Sequence, residues 1–484
     1  MVGLAVMLVS NAAAQTWQYT GSLNTERHRE RINVLQNGKV LVTGGDDMAG
    51  IPLASCELYD PATGTWSYAA SMNIAREHHT SNELPDGRIV VIAGNTDNIY
   101  EWVETASVEI YDPTTDTWAD GGSLQVGRQN HTSTLLNDSL ILVSGGLTTN
   151  YPTDGSTTEC EIYNVNSHQS TIAGPMTQHR RDFSAVLLTD GRVLVAGGRT
   201  VGSMSDYLSE CEIYDPSTNS WSVEPSMAQS RESGLLARFS DNTVIAAGGR
   251  STPYVTAPGA EVFDPSNPTW TSVSPIMQPC YRPGATVLPG DRLLMTGGII
   301  TFDPNDPSGQ TVTNTATCEW YDKPNERWFY APTMHESRAE HGAVRLTQNV
   351  NPNLPTQMVL VAGGIIGTTD VTNTCEVLDV GSNALTYYME QPQNTASVSK
   401  TSAANTMTVI YGENGPTLDL TLAANENVAT ELVSIDGRVV FKLDEPLAAG
   451  EHILSLPPSL GPGMYLVRVS IGATVMSSKI LITQ

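Results

Sequence analysis

Seven arginines and three histidines recur in a register that invites chemistry. Downstream of a tryptophan, Met or Leu stands six residues on and Arg ten residues on. Trp66, Met72 and Arg76 obey this spacing, as do Trp118, Leu124 and Arg128, then Trp221, Met227 and Arg231, and Trp328, Met334 and Arg338. Trp17, Leu23 and Arg27 repeat it at the start. Met176 and Arg180 keep it without the Trp, and Trp270, Met277 and Arg282 follow it loosely. A guanidinium group presents a planar fork that grips a carboxylate or sulfate through two parallel hydrogen bonds. Arg27, Arg76, Arg128, Arg180 (or its neighbour Arg181), Arg231, Arg282 and Arg338 are therefore candidate ligand-binding residues for acidic ligands. The competing reading pairs each with a neighbouring carboxylate, as part of the framework. His79, His131 and His341 follow the repeat Arg by three residues and join the candidate set. Imidazole is a common metal ligand. With no carboxylate partner evident, no metal and no cofactor is expected.

The elements that position these residues repeat too. Short β-rich runs end in a glycine pair at Gly44-Gly45, Gly145-Gly146, Gly197-Gly198, Gly248-Gly249, Gly297-Gly298 and Gly363-Gly364. VIAGN, at Gly94-Asn95, reads as a seventh copy with one glycine lost. Successive first glycines then lie 50, 51, 52, 51, 49 and 66 residues apart. After each comes a strand carrying Glu, an aromatic and Asp: CELYD, VEIYD, CEIYN, CEIYD, AEVFD, CEWYD and CEVLD. Five of these lead through a turn, often Asp-Pro, to a Trp seven residues after the aromatic, a pattern that predicts hairpins. Cys56, Cys160, Cys211, Cys318 and Cys375 all precede the repeat Glu. Copies of one position in adjacent repeats are expected on the order of 10 Å apart, beyond bridging distance, so these five are expected to be free, buried and inert. Cys280 stands outside that pattern and reads as an unpaired loop thiol.

The double glycine followed by spaced Tyr and Trp resembles the kelch repeat over residues 16 to 390. The resemblance implies an all-β fold, a seven-bladed β-propeller with four-stranded blades around a central channel. The half-motif at Trp17 is missing after Leu378, so the N-terminal strand is expected to close the last blade, leaving no exposed sheet edge. A segment at 384–389, ALTYYM, is the alternative closing strand. In a kelch-type propeller the repeat arginines and histidines would gather on the face around the channel mouth, beside a long loop at residues 300–314.

Acids outnumber bases, 51 against 25, for a net charge of −26, which argues against nucleic-acid binding. No run reaches the 18 apolar residues a membrane helix needs. Residues 1–14 read as a signal peptide, with Ala12-Ala13-Ala14 fitting a cleavage site. The propeller is then expected over 15–391, a polar linker over 392–402 and a small Ig-like β-sandwich over 403–484. Ile435-Asp436-Gly437-Arg438, Gly463 to Arg468 and Lys479-Ile480 resemble the type A C-terminal sorting domain of the type IX secretion system. That resemblance implies the secretion machinery as a partner and export to the outside or outer surface of a two-membrane bacterium. No G-x-S-x-G, H-E-x-x-H or CxxC occurs, and copper radical oxidases of kelch fold need a Cys–Tyr link, two His and an axial Tyr. A non-enzymatic protein binding an extracellular glycan or protein ligand at the channel mouth is therefore expected. The alternative is a carbohydrate-active propeller enzyme, an oxidoreductase or sugar epimerase.

Overall fold

The computed structural model describes residues 16–96, 103–148, 155–200, 206–252, 255–300, 313–346, 357–367 and 370–380. Beyond these it describes residues 406–412, 415–422, 426–434, 439–455, 463–471 and 474–482. The chain divides into two compact units, Met1–Tyr388 and Met389–Gln484.

The first unit is a seven-bladed β-propeller, each blade a meander of four antiparallel strands. Blade one runs Arg31–Val34, Val40–Thr43, Cys56–Asp60 and Thr65–Ala69, from the channel outward. Its second strand, VLVT, is buried at every position because blades press on both its faces, so the sequence there is a short run rich in β-branched residues without polar alternation. Its outer strand is largely in water, with only Trp66 and Ala69 buried. Apolar layers fill the gaps between blades: Leu35, Leu41, Cys56 and Met72 pack with Ile89, Val91 and Tyr111 across the first junction. In each of five blades the repeat aromatic meets its Trp across the hairpin, at centroid separations of 5.1 to 5.3 Å.

The N-terminal strand closes the ring. Trp17–Tyr19 pairs antiparallel with Cys375–Asp379 in blade seven, Trp17 opposite Leu378. Trp17 is fully buried and its indole Nε1 donates to Pro332 O at 2.8 Å. On the inner side Gly342, opening blade seven's first strand, donates its N–H to Glu30 Oε1 at 2.9 Å. A Cβ at Gly342 would sit 2.8 Å from Ile32 Cγ2, so the seam admits only glycine there. The alternative segment 384–389 lies outside the described residues.

One glycine assignment changes. In blade two the position that matches Gly44 is Ala93, at φ 58°, and Gly94 matches Gly45. Both positions need the left-handed region, and alanine fills the first. Blade five departs in another way: its second strand extends over Val244–Thr252 and adds a short hairpin with Val255–Thr256.

The second unit has two antiparallel sheets. One holds Thr406–Gly412, Gly415–Leu422 and Gly450–Ser455; the other holds Val439–Leu447, Glu426–Ser434, Gly463–Ile471 and Thr474–Ile482. Val428, Thr430 and Leu432 are buried on one face of their strand, opposite Ile471, Val469 and Val467 of the next. That is the period-two pattern of a half-buried sheet. Among the described residues no helix is long and apolar enough to cross a membrane.

Candidate functional site

Six of the seven candidate arginines face the interior. Arg27, Arg76, Arg128, Arg180 and Arg338 have no exposed surface, and Arg231 has 3%. Each pairs with the repeat Glu of the blade it leads into: Arg27 with Glu57 at 2.9 Å, Arg76 with Glu109 and Arg128 with Glu161 at 2.8 Å. Arg180 meets Glu212 at 2.7 Å, while Arg231–Glu261 and Arg338–Glu376 are both 3.0 Å. The other guanidinium nitrogen donates to the carbonyl at the glycine-pair turn, as Arg128 Nη1 does to Gly145 O at 2.8 Å. The Glu in turn accepts backbone N–H groups from the inter-blade crossing, Gln125 and Val126 in the case of Glu161. The repeat arginine is thus a pin that fixes each crossing to the next blade. A guanidinium buried against a carboxylate offers no fork to a ligand, so these six do not form the ring of ligand-facing guanidinium groups expected from sequence.

Arg282 is the exception, and the repeat register explains it. Counting from Trp270, the sixth residue is Ile276 and the tenth is Cys280, both buried. The spacing is intact and the residue types have changed. Cys280 is the unpaired loop thiol expected, outside the register of the other five cysteines, and it occupies the arginine position of blade six. Its Glu, Glu319, keeps N–H bonds from Met277 and Gln278 at 2.9 and 2.7 Å. With no guanidinium beside it, burial pushes its carboxyl up to about 8. All six cysteines are free and buried; burial raises the thiols of Cys56, Cys211, Cys318 and Cys375 to about 12.

The three histidines are not brought together. His79 Nε2 lies 3.0 Å from Thr43 Oγ1, His131 Nε2 3.0 Å from Thr80 Oγ1, and His341 Nε2 2.9 Å from Thr296 Oγ1. Each contact bridges two neighbouring blades. Burial drives all three imidazoles far below their ordinary value, His341 to about 3, so they are neutral wedges. Among the described residues no group of three or more His, Cys, Asp or Glu is arranged to hold a metal. The loop at 301–312 lies outside the described residues.

The channel mouth is built from the positions between these landmarks. Two residues after each pin position the chain adopts left-handed backbone: Arg29, His78, Asn130, Asp182, Ser233, Arg282 and Glu340, with φ between 49° and 58°. Six of their N–H groups donate to carbonyls of the same position one blade back: Asn130 to His78, Asp182 to Asn130, Ser233 to Asp182, Arg282 to Ser233, Glu340 to Arg282 and Arg29 to Glu340. This makes a collar around the channel axis. Around it stand His28, Glu77, Gln129, Arg181, Glu232, Tyr281 and Ala339. Each pairs with the residue after a glycine turn: Asp46, Asn95, Leu147, Arg199, Arg250, Ile299 and Ile365.

The mouth is chemically uneven. Toward blades one, two and seven, Arg29 bonds Asp46 at 3.3 Å, Glu77 at 3.0 Å and Glu340 at 2.9 Å. His28 is held neutral, pushed down to about 3 by burial and by Arg29. Asp46 is raised well above the usual carboxylate range by burial and by Glu77. Toward blades four to six, Arg250 pairs with Glu232 and lies over the Tyr281 ring, 4.9 Å from its centroid. Arg199 approaches Glu232 at 3.6 Å and Arg282 pairs with Glu340. Of the expected site residues, Arg282 and Arg181, the alternative to Arg180, belong to this surface. The sequence signal for the rest was variation: the two residues after the pin read HR, EH, QN, RD, ES, YR and AE in a frame that is otherwise periodic.

The comparisons agree with this geometry. The family model described as Kelch motif matches residues 34–73, 80–125 and 180–228. The Kelch-like protein terF of Aspergillus terreus is 27% identical over 217 residues, 43% of this chain and 47% of that protein. Human Kelch-like protein 23 is 25% identical over 249 residues, 51% of this chain and 40% of that one. The matched region is thus less than half the length of either relative. Among solved structures, a fungal alcohol oxidase in complex with copper shares the fold at a TM-score of 0.59 and 15% identity, covering 97% of this chain and 100% of that one. Kelch repeats are present in this propeller.

Proposed function

We propose that this kelch propeller is an extracellular binding protein that takes a glycan or protein ligand at its channel mouth. One observation carries the reading. The framework positions repeat from blade to blade, whereas the collar and the two positions around it carry a different residue in nearly every blade and turn polar groups toward one opening. Loops on a rigid scaffold are where recognition sits, and an uneven set of side chains is what a specific ligand requires. Outer-rim residues Met48 and Ile51 are exposed apolar groups beside that polar floor. The reading predicts that Arg250→Gln or Glu77→Gln weakens capture of the ligand found by glycan-array and surface-protein screening. Exchange of Arg88, exposed in the first turn of blade two, leaves capture unchanged. Binding insensitive to both mouth variants contradicts it.

Export by a type IX-like system belongs to the same proposal. Its support is the C-terminal unit's sequence: Gly463 to Arg468 falls on the strand Gly463–Ile471 and Lys479-Ile480 on its neighbour Thr474–Ile482. Asp436, Gly437 and Arg438 lie outside the described residues.

A second reading, a carbohydrate-active enzyme, has one observation in its favour. Asp46 at the mouth retains a proton more readily than an ordinary carboxyl, a property suited to a general acid. An Asp46→Asn variant that abolishes turnover of a bound saccharide while sparing its affinity would establish that reading.

A further inference from the structure

We infer that the blade-four-to-six side of the mouth is an anion site that takes the carboxylate of an acidic saccharide. The inference rests on the proposal that the mouth is the binding surface. Four guanidinium groups meet there: Arg181, Arg199, Arg250 and Arg282. Their side chains keep 14%, 20%, 19% and 26% of their surface exposed, unlike the fully buried pins. Two carboxylates lie wholly within the group, Asp182 and Glu232, and Glu340 divides between Arg282 and Arg29. Among the contacts described, four guanidinium groups therefore meet three carboxylates, in a chain of net charge −26. Desolvation raises the carboxyl of Asp182 above the usual carboxylate range.

The guanidinium groups are also held in place. Glu232 fixes Arg250 and stands 3.6 Å from Arg199, and Arg250 lies over two rings, 4.9 Å from the centroid of Tyr281 and 5.8 Å from that of Tyr207. A preorganised fork loses little freedom on binding a planar carboxylate. Half-buried Tyr207 adds aromatic surface of the kind the C–H face of a pyranose ring covers. Together these features favour a rigid acidic sugar over a flexible acidic peptide, which brings the same charge and loses more entropy on ordering.

The test is calorimetric titration of the full chain with hexagalacturonate and hexaguluronate. Fully methyl-esterified hexagalacturonate removes the charge and keeps the sugar, and hexaglutamate supplies the charge without the sugar. A free acid should bind at least about tenfold more tightly than the ester and than hexaglutamate, and more weakly as salt rises. Arg250→Gln and Arg199→Gln should each weaken it about tenfold, each variant being folded by circular dichroism under the titration conditions. Arg250→Lys should recover part of the loss. Arg192→Gln, at an exposed turn where Arg192 pairs with Asp190, should bind as the parent does. Equal affinity for acid and ester, tighter binding of hexaglutamate, or no binding of either free acid at millimolar concentration overturns the inference. A neutral ligand lost on Glu77→Gln but kept on Arg250→Gln overturns it too, while leaving the mouth as the binding surface. A ligand indifferent to both variants overturns both.

Discussion

At the scale of single residues, the pins and the mouth arginines differ in what surrounds them. Arg128 is sealed against Glu161, so replacing it with Met leaves a buried carboxylate without its counter-charge. The cost is expected to be about 3–5 kcal/mol, read from urea unfolding of the propeller. Blade six shows how the chain tolerates such a loss, because Glu319 takes up a proton instead. Its pKa of about 8 stands above the ordinary value of 4.5, so the folded protein binds more protons than the unfolded one between those limits. Stability from this group is fully present below about pH 4.5 and lost as the pH rises through 8. Glu30, raised by burial to about 7, acts in the same direction. Glu319→Gln should therefore flatten the decline in unfolding free energy between pH 5 and about 8. An unchanged slope would mean that Glu319 is ionised when folded. The repeat arginines were visible in the sequence as a register, but their burial was not. An ion pair between Arg27 and Glu57, thirty residues apart, depends on which faces the blades close upon.

At the scale of elements, the seam between blades one and seven depends on few groups. Trp17 supplies the only large buried side chain of its three-residue strand. Trp17→Ala should cost about 3–5 kcal/mol and raise protease cleavage near residue 20, observable by limited proteolysis; an unaffected unfolding midpoint would show that the seam holds without it. The closing strand was legible from the spare half-motif at one end and its absence at the other. The cysteine position in each third strand was legible for the same reason, since five copies share one register. Two positions misled because residue type outweighed spacing. Arg282 looked like a displaced pin, although Cys280 kept the interval from Trp270. Gly94 looked like the first of a pair, although Ala93 holds that place in left-handed backbone. Ala93→Gly relieves a conformation that costs an L-residue about 1–2 kcal/mol, against about 0.5–1 kcal/mol of lost chain freedom. A midpoint equal to or slightly above the parent's is expected.

At the scale of the whole molecule, a repetitive frame carries a non-repetitive opening. The collar and its surrounding positions could not be assigned from sequence, because only their convergence on one axis makes them a site. The second unit has a different role under the proposal, as an address for export. Deleting residues 392–484 should hold the propeller in the periplasm of the producing bacterium, seen by fractionation, and normal release of the truncated chain would remove that role. The propeller's own task is tested most directly by crystallography of the protein soaked with hexagalacturonate. Sugar density at the mouth, with a carboxylate within hydrogen-bonding distance of Arg250 and Arg199, is the predicted result. Density confined to the opposite face or the outer strands, with the mouth empty, would contradict it.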